Sequence, residues 1–247
     1  MSRSELAPNA DSFVSAFSFA ASDAMQAASS REGAMSVHPG TEPFIHHHRR
    51  YEDWFERNRE AYLSELLAVR ALAPWRGRGL EIGVGTGRFA GPLGVEVGID
   101  PSIEMLGYAR ARSVQVACAV AEALPFADSA FDYALVVTSI SFVGDPAAML
   151  REAGRVLRPG GELVIGLIDR NSPLGQGYLA LQAENVFYRD ARFYSAVEVE
   201  ALLRKTGFGE FLWIQTLSAP VSEIQDIEPV SAGTGRGAFL VLRARSR

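Results

Sequence analysis

The stretch Gly79–Asp100, "GLEIGVGTGRFAGPLGVEVGID", sets glycine at alternate positions after an acid and closes on a lone aspartate. It opens and ends in short runs of Leu, Ile and Val. Runs that are apolar on both faces suit the buried strands of a parallel sheet. Between them, Gly83-Val84-Gly85-Thr86-Gly87 allows a tight turn and a close approach of backbone to a ligand. In an open α/β sheet, ligands bind at the carboxyl ends of the strands, where the strand order reverses. Both this loop and Asp100 fall at such an end.

The same pattern recurs outward from this stretch. Apolar runs at 79–83, 95–99, 114–118, 132–138 and 162–168 alternate with amphipathic helix candidates such as "SIEMLGYARAR" and "PAAMLREAGRVL". Repeated strand, crossover, strand predicts a doubly wound α/β domain. Arg158-Pro159-Gly160-Gly161 reads as a turn between helix and strand, and Cys118 as a buried strand residue. Toward the C-terminus, a helix capped by Gly207 is followed by two strands. Before the domain, "YEDWFERNREAYLSELLAVRAL" has helical periodicity and predicts one cap helix bearing Tyr51, Trp54 and Tyr62. Residues 1–40 are rich in Ala and Ser without a sustained period. They read as a poorly ordered tail before a domain spanning 41–247, with Met35 as an alternative start. That tail carries acids and lacks a continuous apolar core, so neither a secretory signal nor a transit peptide is expected.

Composition narrows the function classes. The 247 residues carry a formal net charge of -5, which argues against nucleic acid or an anionic membrane as a partner. No apolar run approaches the roughly 18 residues of a membrane span. One cysteine precludes an internal disulfide and suits a reducing, cytoplasmic setting. His46, His47 and His48 are consecutive and do not converge on one helix face, and no cluster with metal-ligand spacing occurs elsewhere, so no metal is expected.

Spacing then selects the ligand. A dinucleotide fingerprint needs glycine where Arg88 stands, and a P-loop needs a lysine that is absent. Glu81, two residues before Gly83, repels a pyrophosphate and suits an ammonium. Asp100 is placed to accept hydrogen bonds from both hydroxyls of a ribose. A ribose, an amino-acid tail and no phosphate describe S-adenosylmethionine.

"LEIGVGTGRF", "GIDPSIEMLGYAR", "AEALPFADSAFDYALVV" and "REAGRVLRPGGELVIG", in this order, resemble successive motifs of the class I S-adenosylmethionine-dependent methyltransferases. Within these they resemble the methyltransferase type 11 group, over about Gly79 to Ile168. The resemblance implies a Rossmann-like, seven-stranded sheet of order 3-2-1-4-5-7-6 with the last strand antiparallel. It implies that Glu81 orients the methionine amine, that Gly83, Gly85, Thr86 and Gly87 contact the methionine and ribose, and that Asp100 holds the ribose. It implies adenine contacts around Ala121 and Glu122, with Val120 where relatives often carry an acid, and further contacts at Thr138. The expected activity is methyl transfer to a small-molecule acceptor at N, O or C, by a monomer or homodimer. A non-catalytic S-adenosylmethionine sensor and a nucleotide-dependent oxidoreductase are the alternatives. No catalytic acid–base pair is legible. Acceptor-pocket candidates are Tyr51 and Trp54 on the cap helix, and Asp169, Arg170, Tyr188 and Arg192 after the fifth strand.

Overall fold

The computed structural model describes residues 38–74 and 76–247. The tail reading and the Met35 start fall at residues 1–37, outside the described residues. Among the described residues, eight strands form one sheet: β1 Gly79–Ile82, β2 Val97–Asp100, β3 Gln115–Cys118, β4 Phe131–Val137, β5 Leu157–Ile168, β6 Phe208–Thr216, β7 Ser231–Ala232 and β8 Phe239–Ser246. Their order is β3-β2-β1-β4-β5-β8-β6-β7. The first five run parallel, and β8 runs antiparallel to both β5 and β6. This is the expected order, extended at one edge by the two-residue β7.

The helices are α1 Glu42–His46, α2 His48–Arg57, α3 Arg59–Leu72, α4 Ala90–Leu93, α5 Ile103–Ala111, α6 Pro146–Val156, α7 Pro173–Ala180 and α8 Ala196–Lys205. They cover both faces of the sheet, as a parallel sheet requires. On one face Met149, Leu150 and Ala153 of α6 and Val199 and Leu203 of α8 pack with Ala134, Val136 and Ile165. On the other, Ala61, Ala68, Val69 and Leu72 of α3 pack with Leu135, Val137, Val164 and Val241. Side chains alternate across a strand, so β4 supplies both layers. Local signals set the helix starts. Asp145 accepts from the Ala147 and Ala148 amides before α6, and Ser195 with Glu198 closes a capping box on α8.

Three expectations need correction. The single cap helix is two helices broken at Asn58, whose φ of -120° and ψ of 47° leave the helical region. The Asn58 side-chain amide donates to the Trp54 carbonyl at 2.9 Å, a local bond that competes with helix propagation. Arg158–Gly161 is an excursion within β5 rather than a turn before it: Leu157 pairs with Phe131, and pairing resumes with Glu162 opposite Tyr133. Arg158 pairs there with Asp132, which also accepts from the Arg78 amide at 2.7 Å. Finally, Cys118 is exposed, because β3 is an edge strand. Burial of its thiol is partial yet still raises its pKa, with Asp100 and Glu104 adding to the effect.

Two glycines predict opposite stability changes. A Cβ on Gly98 would lie 2.6 Å from Val84 Cβ, between loop and strand, so Gly98→Ala should cost about 1–3 kcal/mol. Gly107 is exposed within α5 and nothing lies within 4 Å of its added Cβ, so Gly107→Ala should stabilise by about 0.5–1 kcal/mol. Denaturant unfolding of the two variants checks both signs.

Candidate functional site

β1 and β4 are neighbours at the point where the strand order reverses, so a crevice lies beyond their carboxyl ends. β1 runs into Gly83, Gly85 and Gly87, with φ of 75°, 51° and 78°. Side chains rarely adopt this backbone region. Space is short as well, since a Cβ on Gly83 would meet Ser139 Cβ at 2.4 Å. Ser139 is tied in place by its hydroxyl, which donates to the Ile82 carbonyl at 2.8 Å. The amides of Gly83 and Val84 both donate to the Ile99 carbonyl, at 2.9 and 2.8 Å, fastening the loop to β2. Thr138, at the end of β4, is itself held at φ 58°, a strained setting for a non-glycine residue at a strand tip.

Two carboxylates flank this loop. Asp100 is 9% exposed; Oδ2 accepts from the Gly85 amide at 3.0 Å and Oδ1 from the Ser102 amide at 2.9 Å. Each oxygen retains a lone pair for a hydroxyl donor. Burial outweighs these two hydrogen bonds and pushes the Asp100 pKa up to about 6. Ser102 is also the N-cap of α5, so the turn-and-cap geometry and the carboxylate at the strand tip coexist. Glu81 is 1% exposed, and its Oε2 has no hydrogen-bond partner. Burial pushes it up to about 8; the Ala90 amide opposes the rise and nearby Asp100 adds to it. A carboxylate in this state gains from a cation.

The cap helices are bound to the loop through Glu52 of α2. Its carboxylate accepts from Arg88 at 3.2 and 2.8 Å and from Arg112 at 2.6 Å. Burial raises its pKa, but these bonds outweigh it and hold the group ionised below the usual carboxylate range. Arg88 stacks on Phe55 and Tyr62, 5.2 and 5.9 Å from the ring centroids. Arg112 also donates to the Thr86 carbonyl at 2.9 Å. Thr86 itself is buried, its hydroxyl facing Glu52 without closing a normal hydrogen bond. Arg88, where a dinucleotide site has glycine, is therefore the anchor between cap and loop.

The remaining candidates separate into two groups. Tyr51 feels the charges of Asp100, Glu81, Glu65 and Glu52, although burial is the main reason its phenol is raised. Tyr188 likewise is raised mainly by burial and interacts with Tyr178, Glu65 and Tyr51. These two are brought together. Trp54 instead packs on Phe55 against the core. Arg170 is paired with Glu198 at 3.0 Å, and Arg192 lies over the Tyr194 ring at 5.0 Å. Asp169 is buried and accepts from the Asn171 amide at 3.1 Å, a turn contact. Glu122 accepts from the Gly144 and Asp145 amides at 2.8 and 3.1 Å, so it supports the entry to α6, while Ala121 is buried beside it. The histidines diverge: His48 bonds the Tyr108 hydroxyl at 3.1 Å and His47 meets the Phe187 ring. Among the described residues no group of His, Cys, Asp or Glu could hold a metal, and no helix is long and apolar enough to cross a membrane.

Sequence reasoning missed Glu65, on α3 at 5% exposure. A signal was present, since Ala61, Ala68 and Leu72 place position 65 on the apolar face of the helix.

The parallel sheet, its switch-point glycine loop and the acid at the tip of β2 define the Rossmann-like fold of S-adenosylmethionine-dependent methyltransferases. Residues 80–165 match the family model described as a methyltransferase domain. A crystal structure from Thermotoga maritima is 49% identical, with a TM-score of 0.82, covering 84% of this chain and 100% of that one; it is described as an S-adenosylmethionine-dependent methyltransferase, possible histamine N-methyltransferase. An uncharacterised protein of Methanocaldococcus jannaschii is 42% identical over 194 residues, covering 78% of this chain and 94% of that protein. The demethylmenaquinone methyltransferase of Corynebacterium kroppenstedtii is 40% identical over 83 residues, covering 34% of this chain and 36% of that enzyme. The chain belongs to the S-adenosylmethionine-dependent methyltransferases; it is an enzyme, and its cofactor is S-adenosylmethionine.

Glu81 predicts a pH signature for the cofactor-free protein. A carboxyl whose folded pKa is raised stabilises the fold below the ordinary carboxylate range, and that contribution is lost as pH rises through about 8. Glu81→Gln should leave the melting temperature nearly unchanged at about pH 5 and raise it at about pH 9. The same variant should bind S-adenosylmethionine more weakly. Thermal unfolding across pH, with calorimetric titration, measures both effects.

Proposed function

We propose that the enzyme methylates a small-molecule acceptor bound beside Tyr51 and Tyr188. The observation that carries this reading is Glu81 Oε2, a buried carboxylate oxygen without a partner next to the glycine loop. It suits the ammonium of the cofactor's methionine moiety. Gly83, Gly85, Thr86 and Gly87 then lie along that moiety and the ribose, and Asp100 accepts from the ribose hydroxyls. Since Glu122 is engaged by the Gly144 and Asp145 amides, adenine contacts fall to the backbone around Ala121. Thr138 closes the site from the end of β4.

Bound S-adenosylmethionine supplies a methyl group on a sulfonium, whose departure as a thioether needs no acid. The chain's contribution is therefore placement and exclusion of water. Tyr51 supports this arrangement, because it feels both carboxylates of the cofactor site and also Tyr188's side of the pocket. Acceptor recognition then belongs to the aromatic residues of the cap and of the segment after β5. The neighbour from Thermotoga maritima makes histamine a first acceptor to screen, alongside metabolite pools with methyl-labelled cofactor.

Once an acceptor is found, Tyr188→Ala should raise its KM or lower turnover about tenfold, roughly 1.4 kcal/mol, with cofactor affinity nearly unchanged. Arg192→Ala, whose guanidinium lies on Tyr194, should stay within about twofold. Equal losses in both variants, or none in either, would displace the pocket. Asp100→Ala should weaken S-adenosylmethionine binding by about 1–3 kcal/mol, measured by calorimetry.

A further inference from the structure

The cap, the glycine loop and the turn after β4 touch one another in a closed circuit. Glu52 of α2 receives Arg88, which follows the loop, at 2.8 Å and Arg112, at the end of α5, at 2.6 Å. Arg112 reaches the loop itself by donating to the Thr86 carbonyl at 2.9 Å, and the Arg88 carbonyl accepts from the Tyr62 hydroxyl of α3 at 2.6 Å. One residue earlier on α2, the Tyr51 ring lies 5.4 Å from Phe44 of α1 and 6.2 Å from Phe187, in the segment after α7. Phe44 in turn lies 4.9 Å from Phe142, at the end of the short 3-10 helix Ser139–Phe142 that follows β4. That helix returns to the loop, because Ser139 donates to the Ile82 carbonyl and leaves Gly83 no room for a Cβ.

The circuit starts and ends at the carboxyl ends of β1 and β4, where the strand order reverses. Its two arms differ physically. Phe44, Tyr51, Phe142 and Phe187 are each partly exposed, and their ring contacts supply packing with loose geometry. The ionic arm is directional. Arg88 forks onto both oxygens of Glu52, at 3.2 and 2.8 Å, and these side chains are only 16% and 12% exposed. A forked pair shielded to this degree holds a defined geometry, and stripping one partner leaves the other charge uncompensated. Glu56, one turn along α2, also meets Arg88, at 2.7 Å, but its side chain is 68% exposed and its pair is screened by water.

Glu52 therefore acts on the glycine loop through Arg88 and Arg112, and on the cap through its own helix. A loop held in its binding conformation binds more tightly, since apparent affinity falls with the fraction of chains in the competent form. Coupling of this kind is reciprocal: whatever the cap contributes to cofactor affinity, the cofactor returns to the cap. A residue that merely fastens the cap would loosen it on substitution and leave cofactor affinity as it was.

We propose that Glu52 is a positioning residue for methyl transfer, locking the glycine loop and α2 into one unit so that cofactor and cap hold each other in place. The inference rests on the placement of the cofactor at the glycine loop, for which Asp100→Ala is the control. The full chain is titrated calorimetrically with S-adenosylhomocysteine. It is also digested with trypsin, and cleavage after Arg57 and Arg59, both exposed at the break between α2 and α3, is followed by mass spectrometry with and without that ligand. S-adenosylhomocysteine should slow this cleavage at least fivefold in the parent chain. Glu52→Gln should bind the ligand at least fivefold more weakly and lose that protection, whereas Glu56→Gln should stay within about twofold on both readouts. Adding Arg88→Gln to Glu52→Gln should weaken binding by less than the product of the two single effects, because both remove the same pair. Should Glu52→Gln fail to fold, Arg88→Lys, which keeps the charge but not the fork, should show the same paired loss. Unchanged affinity in Glu52→Gln, no protection in the parent, protection that survives a loss of affinity, or equal losses in the Glu52 and Glu56 variants would each overturn the proposal. Undiminished affinity in Asp100→Ala would instead overturn the placement of the cofactor, and this inference with it.

Discussion

Two carboxylates, Glu81 and Asp100, are buried at the carboxyl ends of the adjacent parallel strands β1 and β2. Both are pushed above the ordinary carboxylate range by loss of water, Glu81 the further of the two because one of its oxygens has no partner. The fold holds this unfavourable pair in place by fastening the intervening loop. Ile99 accepts two loop amides, and Asp100 accepts a third from Gly85. A ligand that brings an ammonium to Glu81 and hydroxyls to Asp100 relieves the strain that folding creates. Cofactor binding and stability are linked for that reason.

The cap depends on the same loop. Glu52 receives Arg88 from the end of the glycine loop and Arg112 from the end of α5, and Arg88 lies against Phe55 and Tyr62. These side chains are partly shielded from solvent, where a charged pair is worth more than on an open surface. The arrangement fixes α2 over the end of the sheet and so sets where Tyr51 points. The position of Tyr51 is thereby coupled to the glycine loop, through one acid and two arginines.

The buried acids Glu81 and Glu65 differ in setting. Glu81 stands among backbone amides and strand ends, as expected where a small cationic head group meets the main chain. Glu65 stands on the apolar face of α3, where burial alone raises its carboxyl. The charges of both acids act on Tyr51.

The parallel sheet and the glycine loop were legible in the residues themselves, and the strand order in the family resemblance. Strands covered on both faces must be continuously apolar, and a loop with positive φ at three positions selects glycine. Asp100 and Glu81 were legible as acids beside that loop, since their positions follow from distance along the chain to a strand tip. What the sequence left open depends on groups far apart in it. The break at Asn58 comes from a side-chain bond that periodicity does not register, and the excursion at Arg158–Gly161 from pairing between β4 and β5. Arg170 and Arg192 looked free in a polar, aromatic segment, but tertiary packing gives them Glu198 and the ring of Tyr194. The local chain determines backbone conformation and the glycine loop, whereas the pairing of Glu52 with Arg88 and Arg112 exists only where separate elements meet.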